Sequence, residues 1–261
     1  MKFLVPFKEH VKNLLASGVF NGFAGLDGLT ELVCLNLGDY SPDPVFDLSS
    51  LGKLEICKMG WSKKISGEKF FSLPKLREVS LFNYKNDDLL EIGATKNLVK
   101  LSLRYGSVKQ FIGLCNCDKL EVINIINVRN IESINGIECC RSLKTVDFCN
   151  LNVACDISAI FYNCSELINV SVGGSAFFND LDWIKSNKKV AKIRSDSVVR
   201  KIDWEVIFGA PELNEIAFKF VPGNIKTDIE IRAISRANGK NLKWIEHGGT
   251  KKSPWIELHF I

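Results

Sequence analysis

One spacing of apolar residues recurs along the chain. LTELVCLNL from Leu29, LGKLEICKM from Leu51, LPKLREVSL from Leu73, TKNLVKLSL from Thr95 and CDKLEVINI from Cys117 share it. Each opens on a small or apolar residue and places further apolar residues three, six and eight positions later. CRSLKTVDF from Cys140, CSELINVSV from Cys164, NKKVAKIRS from Asn187 and APELNEIAF from Ala210 continue the series. Successive copies begin 22, 22, 22, 22, 23, 24, 23 and 23 residues apart. A weaker tenth copy, at Leu242, Ile245 and His247, follows a longer step that an inserted helix accommodates. Thr227 and Glu230 fit a capping box for that helix, and Gly239 fits its stop.

The second half of each copy alternates, which predicts a short strand with its apolar side chains on one face. One copy buries too little surface to fold alone, whereas stacked copies bury a continuous core. The expected architecture is therefore an α/β solenoid of nine or ten coils. Its strands form a parallel sheet on the concave side, about 4.8 Å apart, giving a curved rod roughly 45 Å long. The return limbs on the convex side vary. Val128, Ile131, Ile134 and Ile137 recur every three residues and suit a 3₁₀ segment. Asp180–Ser186 and Asp203–Phe208 suit single α turns with acidic starts. The open ends need caps. Residues 1–28 are expected as a helical N-terminal cap, with Phe7, Val11, Leu14 and Leu15 as its apolar stripe. The solenoid proper then runs over 29–247. Residues 248–261 form a closing strand on which Ile256, Leu258 and Phe260 share a face.

The spacing resembles the leucine-rich repeat, whose short motif is L-x-x-L-x-L. Copies such as FYNCSELINVSV are further similar to the cysteine-bearing bacterial repeats of the surface-antigen type. The resemblance covers about Leu29 to Phe218. The asparagine usual three residues after the last strand leucine is mostly replaced, for example by Tyr40, Tyr84 and Gly106. An irregular coil without a regular asparagine ladder is the expectation.

Cysteines change the picture little. Cys117, Cys140 and Cys164 occupy the template's first position and Cys57 replaces a core leucine, so they read as small buried apolar residues. No separated pair of C-x-x-C motifs supplies four zinc ligands, and no metal is expected. Cys149 faces outward in the template and is the candidate reactive thiol. The apolar run at the N-terminus stops at Phe7, short of a secretory signal core, and no apolar run approaches a membrane span. A cytoplasmic protein with all 9 cysteines reduced is the simplest expectation.

Catalytic chemistry is sparse. His10, His247 and His259 belong to no hydrolase or metalloprotease motif. Gly18, Gly22, Gly25 and Gly28 lack the order of a phosphate-binding loop. The chain reads as a non-enzyme without cofactor. From Lys185 onward 15 basic residues face 9 acidic ones, which raises a nucleic-acid reading. Asp196 and Asp203 interrupt the basic run and no binding motif accompanies it, which disfavours that reading.

The residues between and just after the inward positions line the concave face. On consecutive coils these include Lys58 and Trp61, then Phe82, then Arg104 and Tyr105, then Ile126. Asp147, Lys192, Arg194, Lys219 and Trp244 extend the stripe. Aromatic side chains and arginine are typical of interface hot spots. A competing reading tucks Trp61 and Tyr105 beneath a neighbouring turn. The expected function is protein–protein interaction on the concave face, with no membrane involved. A stand-alone binder of this kind resembles an immunity or inhibitor protein that masks a toxin. An adaptor, a translocated effector and a nucleic-acid binder are the alternatives.

Overall fold

The computed structural model describes residues 8–16, 25–40, 48–62, 65–223 and 225–261. Phe7, Gly18 and Gly22 lie outside the described residues. The expected solenoid is present. Strands β1 (Asn13–Leu15), β2 (Cys34–Asn36), β3 (Ile56–Gly60), β4 (Glu78–Phe82), β5 (Lys100–Arg104) and β6 (Val122–Ile126) are followed by β7 (Thr145–Leu151) and β8 (Asn169–Gly174). After the short β9 (Phe177–Phe178) come β10 (Lys192–Val199) and β11 (Glu215–Phe220). Neighbours from β1 to β8, then β10 and β11, pair in parallel in chain order, while β9 pairs with β10 off the main path.

Every template leucine and its equivalents point inward. Leu32, Leu35 and Leu37 in the first copy, and Leu213, Ile216 and Phe218 in the ninth, are buried, as are those between. Just before each strand a backbone amide donates to the preceding coil. Glu55 N reaches Val33 O, Arg77 N reaches Glu55 O, and Glu121 N reaches Val99 O, at 2.8–2.9 Å. The template's first position adds a second link. Thr95 Oγ1 donates to Phe71 O at 3.0 Å, and Asn187 Nδ2 donates to Phe161 O at 3.1 Å. Cys140 and Cys164 do the same through weak thiol donors, to Leu114 O at 3.6 Å and Cys140 O at 3.7 Å. A small side chain that can donate is satisfied in this buried slot at these copies, whereas leucine or alanine fills it at Leu29, Leu51, Leu73 and Ala210.

The convex limbs are short. Helices α1 (Gly67–Phe71), α2 (Ser158–Phe161) and α3 (Trp204–Gly209) alternate with 3₁₀ turns such as Ile92–Ala94, Leu114–Asn116 and Ile137–Cys139. Gly113 and Gly136 open two of those turns with φ +111° and +110°, and a Cβ on either would collide with the carbonyl of Leu89 or Phe111. α3 starts at the expected place, with the Asp203 carboxylate accepting from Glu205 N at 3.1 Å. The inserted helix α4 (Asp228–Ala237) is also present, with the Thr227–Glu230 capping box formed and Gly239 at φ +70°. Two limbs differ from expectation. Asp182–Ser186 forms a 3₁₀ turn rather than an α turn. Val128, Ile131 and Ile134 are buried from irregular backbone, and only Ile137 begins a 3₁₀ turn. Their three-residue period reflects contact with the core, not helix.

Both ends correct the sequence reading. The expected N-terminal helix is a strand, β1, in parallel register with β2 (Asn13↔Cys34). Val11, Leu14 and Ala16 sit at the template spacing and pack on the core, so this segment is a further coil. At the other end β12 (Leu242–Thr250) and β13 (Ser253–Phe260) form an antiparallel hairpin. It is β13 that pairs with β11, antiparallel, and β12 lies outermost, so the tenth copy does not continue the parallel series. Ile256, Leu258 and Phe260 are the more deeply buried set and take the slot beside the core.

Trp61 is likewise not an exposed anchor. It is 7% exposed and packs on Phe70, Phe71 and Tyr84, with ring centroids 6.0, 5.2 and 5.5 Å away. Helix α1 supplies the two phenylalanines that draw it under the turn.

The cysteines divide by side. Burial raises the thiols of Cys117 and Cys164 to about 11 and pushes Cys57 and Cys140 up as well. Cys149 stands exposed and free. Cys115 and Cys139 correct the expectation of nine reduced thiols, because they are joined as a disulfide. They occupy matching outward positions on stacked convex turns, with Cα atoms 4.8 Å apart.

Trp61→Ala is expected to destabilise the protein by about 3–5 kcal/mol in urea unfolding, the usual loss for emptying an aromatic core site. In the native state at pH 8, alkylation followed by mass spectrometry is expected to mark Cys149 promptly. Cys57, Cys117, Cys140 and Cys164 should resist until the protein unfolds; equal rates at all five would contradict the buried column.

Candidate partner-binding face

Strand register sorts the solvent-facing side of the sheet into three rows. The first runs through Ile56, Glu78, Lys100, Val122, Thr145, Asn169, Lys192 and Glu215. The second runs through Lys58, Ser80, Ser102, Asn124, Asp147, Ser171, Arg194 and Ala217. The third begins Gly60, Phe82, Arg104, Ile126, Cys149. The hairpin adds His259, Glu257 and Trp255 opposite Glu215, Ala217 and Lys219, and Trp244 lies opposite His259. Lys58, Arg104, Ile126, Asp147, Lys192, Arg194, Lys219 and Trp244 therefore share one face.

The other two anchors behave differently. Phe82 lies in the third row but is only 4% exposed. Lys58 Nζ and Arg104 Cζ stand over its ring, 5.4 and 5.9 Å from the centroid, and cover it. Phe82 is thus a platform for two cations, not a contact surface. Tyr105 is 56% exposed and sits just beyond the row at φ +56°. Asn83, Asn127 and Asn150 take the same left-handed conformation at equivalent places on neighbouring coils. Asn150 Nδ2 donates to Asn127 Oδ1 at 2.7 Å. An asparagine series does exist, one residue earlier than the usual motif position. With Tyr105, Asn130 and Asn152 it lines a lateral groove of about 740 Å³. Its signal in the sequence was asparagine recurring just after the strand, where a left-handed residue is needed.

Charge is unevenly matched along the face. Glu215 holds both Lys192, at 2.7 Å, and Arg194, whose guanidinium also approaches Glu257 at 4.0 Å. Burial alone would raise the Glu215 carboxyl, but hydrogen bonds from Arg194 and Lys192, with their charges, carry it below the usual carboxylate range. Lys219 lies 4.0 Å from Asp196. The basic C-terminal run is thus neutralised where it reaches this face, which further disfavours a phosphate backbone as its ligand. The sequence reading missed these pairs although the repeat offset shows them. Residues one period apart stack, as in Glu31–Lys53, Glu55–Arg77 and Glu121–Lys144, at 2.6, 3.0 and 2.8 Å. The two C-terminal histidines do not meet. His247 bonds Asp228 at 2.6 Å, while His259 bonds Glu257 at 2.9 Å and meets Trp244 at a tilt of 56° with centroids 5.0 Å apart. Among the described residues no cluster of three His, Cys, Asp or Glu side chains is placed to hold a metal.

No family model matches the sequence, and a comparison with curated proteins finds no relative. Solved structures do share the fold. A leucine-rich-repeat protein of Leptospira interrogans is 16% identical, with a TM-score of 0.58 over 82% of this chain; the match spans 50% of that protein. Internalin C2 of Listeria monocytogenes is 17% identical, with a TM-score of 0.58, covering 71% of this chain and 81% of that one. A TDR receptor is 14% identical at a TM-score of 0.52, over 76% of this chain and 41% of that one. At such identities the likeness is one of architecture. The stacked coils, the inward L-x-x-L-x-L residues and these neighbours together make the fold a leucine-rich-repeat solenoid.

Proposed function

We propose that the chain is a non-enzymatic scaffold that grips a partner protein with its concave face. The observation that carries this reading is the composition of that face. Ile126, Cys149, Tyr105 and Trp244 reach solvent among polar and charged neighbours, beside a sheet whose opposite side packs on the core from β2 to β11. Apolar groups amid a polar rim are the usual make-up of a protein interface. An internalin and a receptor among the proteins of like fold agree with a binding role. In its finer form the proposal is an immunity or inhibitor protein that masks a toxin in the cytosol.

Affinity capture from lysate of the source cell tests the scaffold reading, with the wild type beside Tyr105→Ala/Ile126→Asp. One protein is expected on the wild type and not on the variant, with the two baits melting within a few degrees of each other. Equal retention by both moves the interface off this face. The inhibitor form requires the retained protein to be a toxic enzyme that loses activity when the chain is added. The compartment has its own check: quenched, non-reducing thiol counting in that lysate gives seven free cysteines where the Cys115–Cys139 disulfide of the structure persists, whereas nine would show that pair held reduced, as a cytosolic setting holds it.

A further inference from the structure

The N-terminal half of the concave face carries three cations that no ion pair engages among the described residues. Lys58, Lys100 and Arg104 rise around a cleft of about 270 Å³. Its floor is Ser80, Ser102 and Asn124, the second-row residues of three adjacent strands. Among the described residues no ion pair engages Lys58, Lys100 or Arg104, whereas Lys192, Arg194 and Lys219 farther along all have carboxylate partners. Glu78 also lines the cleft, but its carboxylate is held by Arg77 at 3.1 Å.

Two further groups wait unpaired in the same wall. The Ser102 hydroxyl, on a residue only 4% exposed, has no hydrogen-bond partner. Arg104 Nε, shielded from solvent, has none either. Buried polar groups are satisfied as a rule, so two orphans side by side beneath three cations point to an acceptor supplied from outside. The Phe82 ring is flanked by the Lys58 and Arg104 head groups, 5.4 and 5.9 Å from its centroid, so both cations border the cleft in the free protein. An anion entering the cleft would meet positive charge on both sides.

We infer that the cleft between β3 and β5 is the docking point for an acidic segment of the partner protein, with an Asp or Glu carboxylate accepting from Arg104 and Ser102 between Lys58 and Lys100. This rests on the scaffold reading and names the chemistry of the partner at that place. Charge complementarity carries the choice of occupant: an arginine fork suits a planar carboxylate, and the serine hydroxyl is a neutral donor beside it.

Fluorescence anisotropy with a labelled hexaglutamate peptide tests it at low and moderate salt. The wild type should bind, and Lys100→Gln/Arg104→Gln should weaken binding at least tenfold. Lys251→Gln/Lys252→Gln, with the same change in net charge, should leave affinity within twofold. Ser102→Ala should weaken the peptide several-fold while its melting temperature holds or rises, since its hydroxyl is unpaired in the free protein. No binding to the wild type would overturn the inference, as would equal losses in the two double variants. Tighter binding of inorganic polyphosphate or an oligonucleotide through the same residues would overturn it too, by making the cleft a phosphate site. Partner capture sensitive to Tyr105→Ala/Ile126→Asp but not to Lys100→Gln/Arg104→Gln would leave the scaffold reading standing and remove this one.

Discussion

Hydrogen bonding between successive coils is the constraint from which the rest follows. A single coil has a strand of five or so residues and no partner within itself, so every backbone group on its inner edge must be met by the coil before or after. The amide that enters each strand donates to its equivalent one coil back, and the buried first-position side chains at Thr95, Cys140, Cys164 and Asn187 repeat that link at the convex turn. Equivalent residues are thereby stacked at strand spacing. The sequence offset becomes a physical neighbourhood, and anything placed once per period becomes a ladder.

Charge shows the consequence. A carboxylate and a lysine or arginine one period later form a salt bridge in the folded coil at Glu55–Arg77 and Glu121–Lys144, though not at Glu78 and Lys100. Exposed pairs of this kind contribute little stability each. Their larger effect is to settle which charges remain for a partner. Lys192 and Arg194 meet Glu215 across the sheet and are internally satisfied. Lys58 and Arg104 meet Phe82 instead and are not. The most basic stretch of sequence is therefore not the most available positive surface, because availability depends on what lies one period away.

The same stacking explains which features were legible. Inward positions repeat, so the core, the parallel sheet and its register could be read from Leu29 onward. Helix α4 was legible because its capping box is a local signal at Thr227 and Glu230. What failed depended on other coils. Val11, Leu14 and Ala16 follow the template, but with only three weakly apolar residues the pattern also fits a helical stripe; pairing with β2 decides for strand. Trp61 and Phe82 occupy outward positions, yet one is drawn under by Phe70 and Phe71 of its own convex limb and the other is roofed by cations of its two neighbouring strands. Cys115 and Cys139 face each other for a similar reason: only the stacked geometry shows that outward cysteines 24 residues apart are adjacent.

The end of the solenoid bears on function as well as stability. A parallel sheet would leave β11 with an open edge that invites a further strand. The chain instead doubles back, so that β13 fills the slot antiparallel and β12 becomes the edge. That reversal brings Glu257 and His259 onto the concave face beside Glu215, and carries Trp244 to its rim. The carboxylates that neutralise Arg194 thus come partly from the closing hairpin and not from the repeats alone. Closure of the fold adds to a charge asymmetry that the repeats already set through Glu215 and Asp196. The C-terminal half is balanced by carboxylates of β10 and β11 with Glu257 of the sealing strand beside them, whereas Lys58, Lys100 and Arg104 of the N-terminal half engage in no ion pair among the described residues.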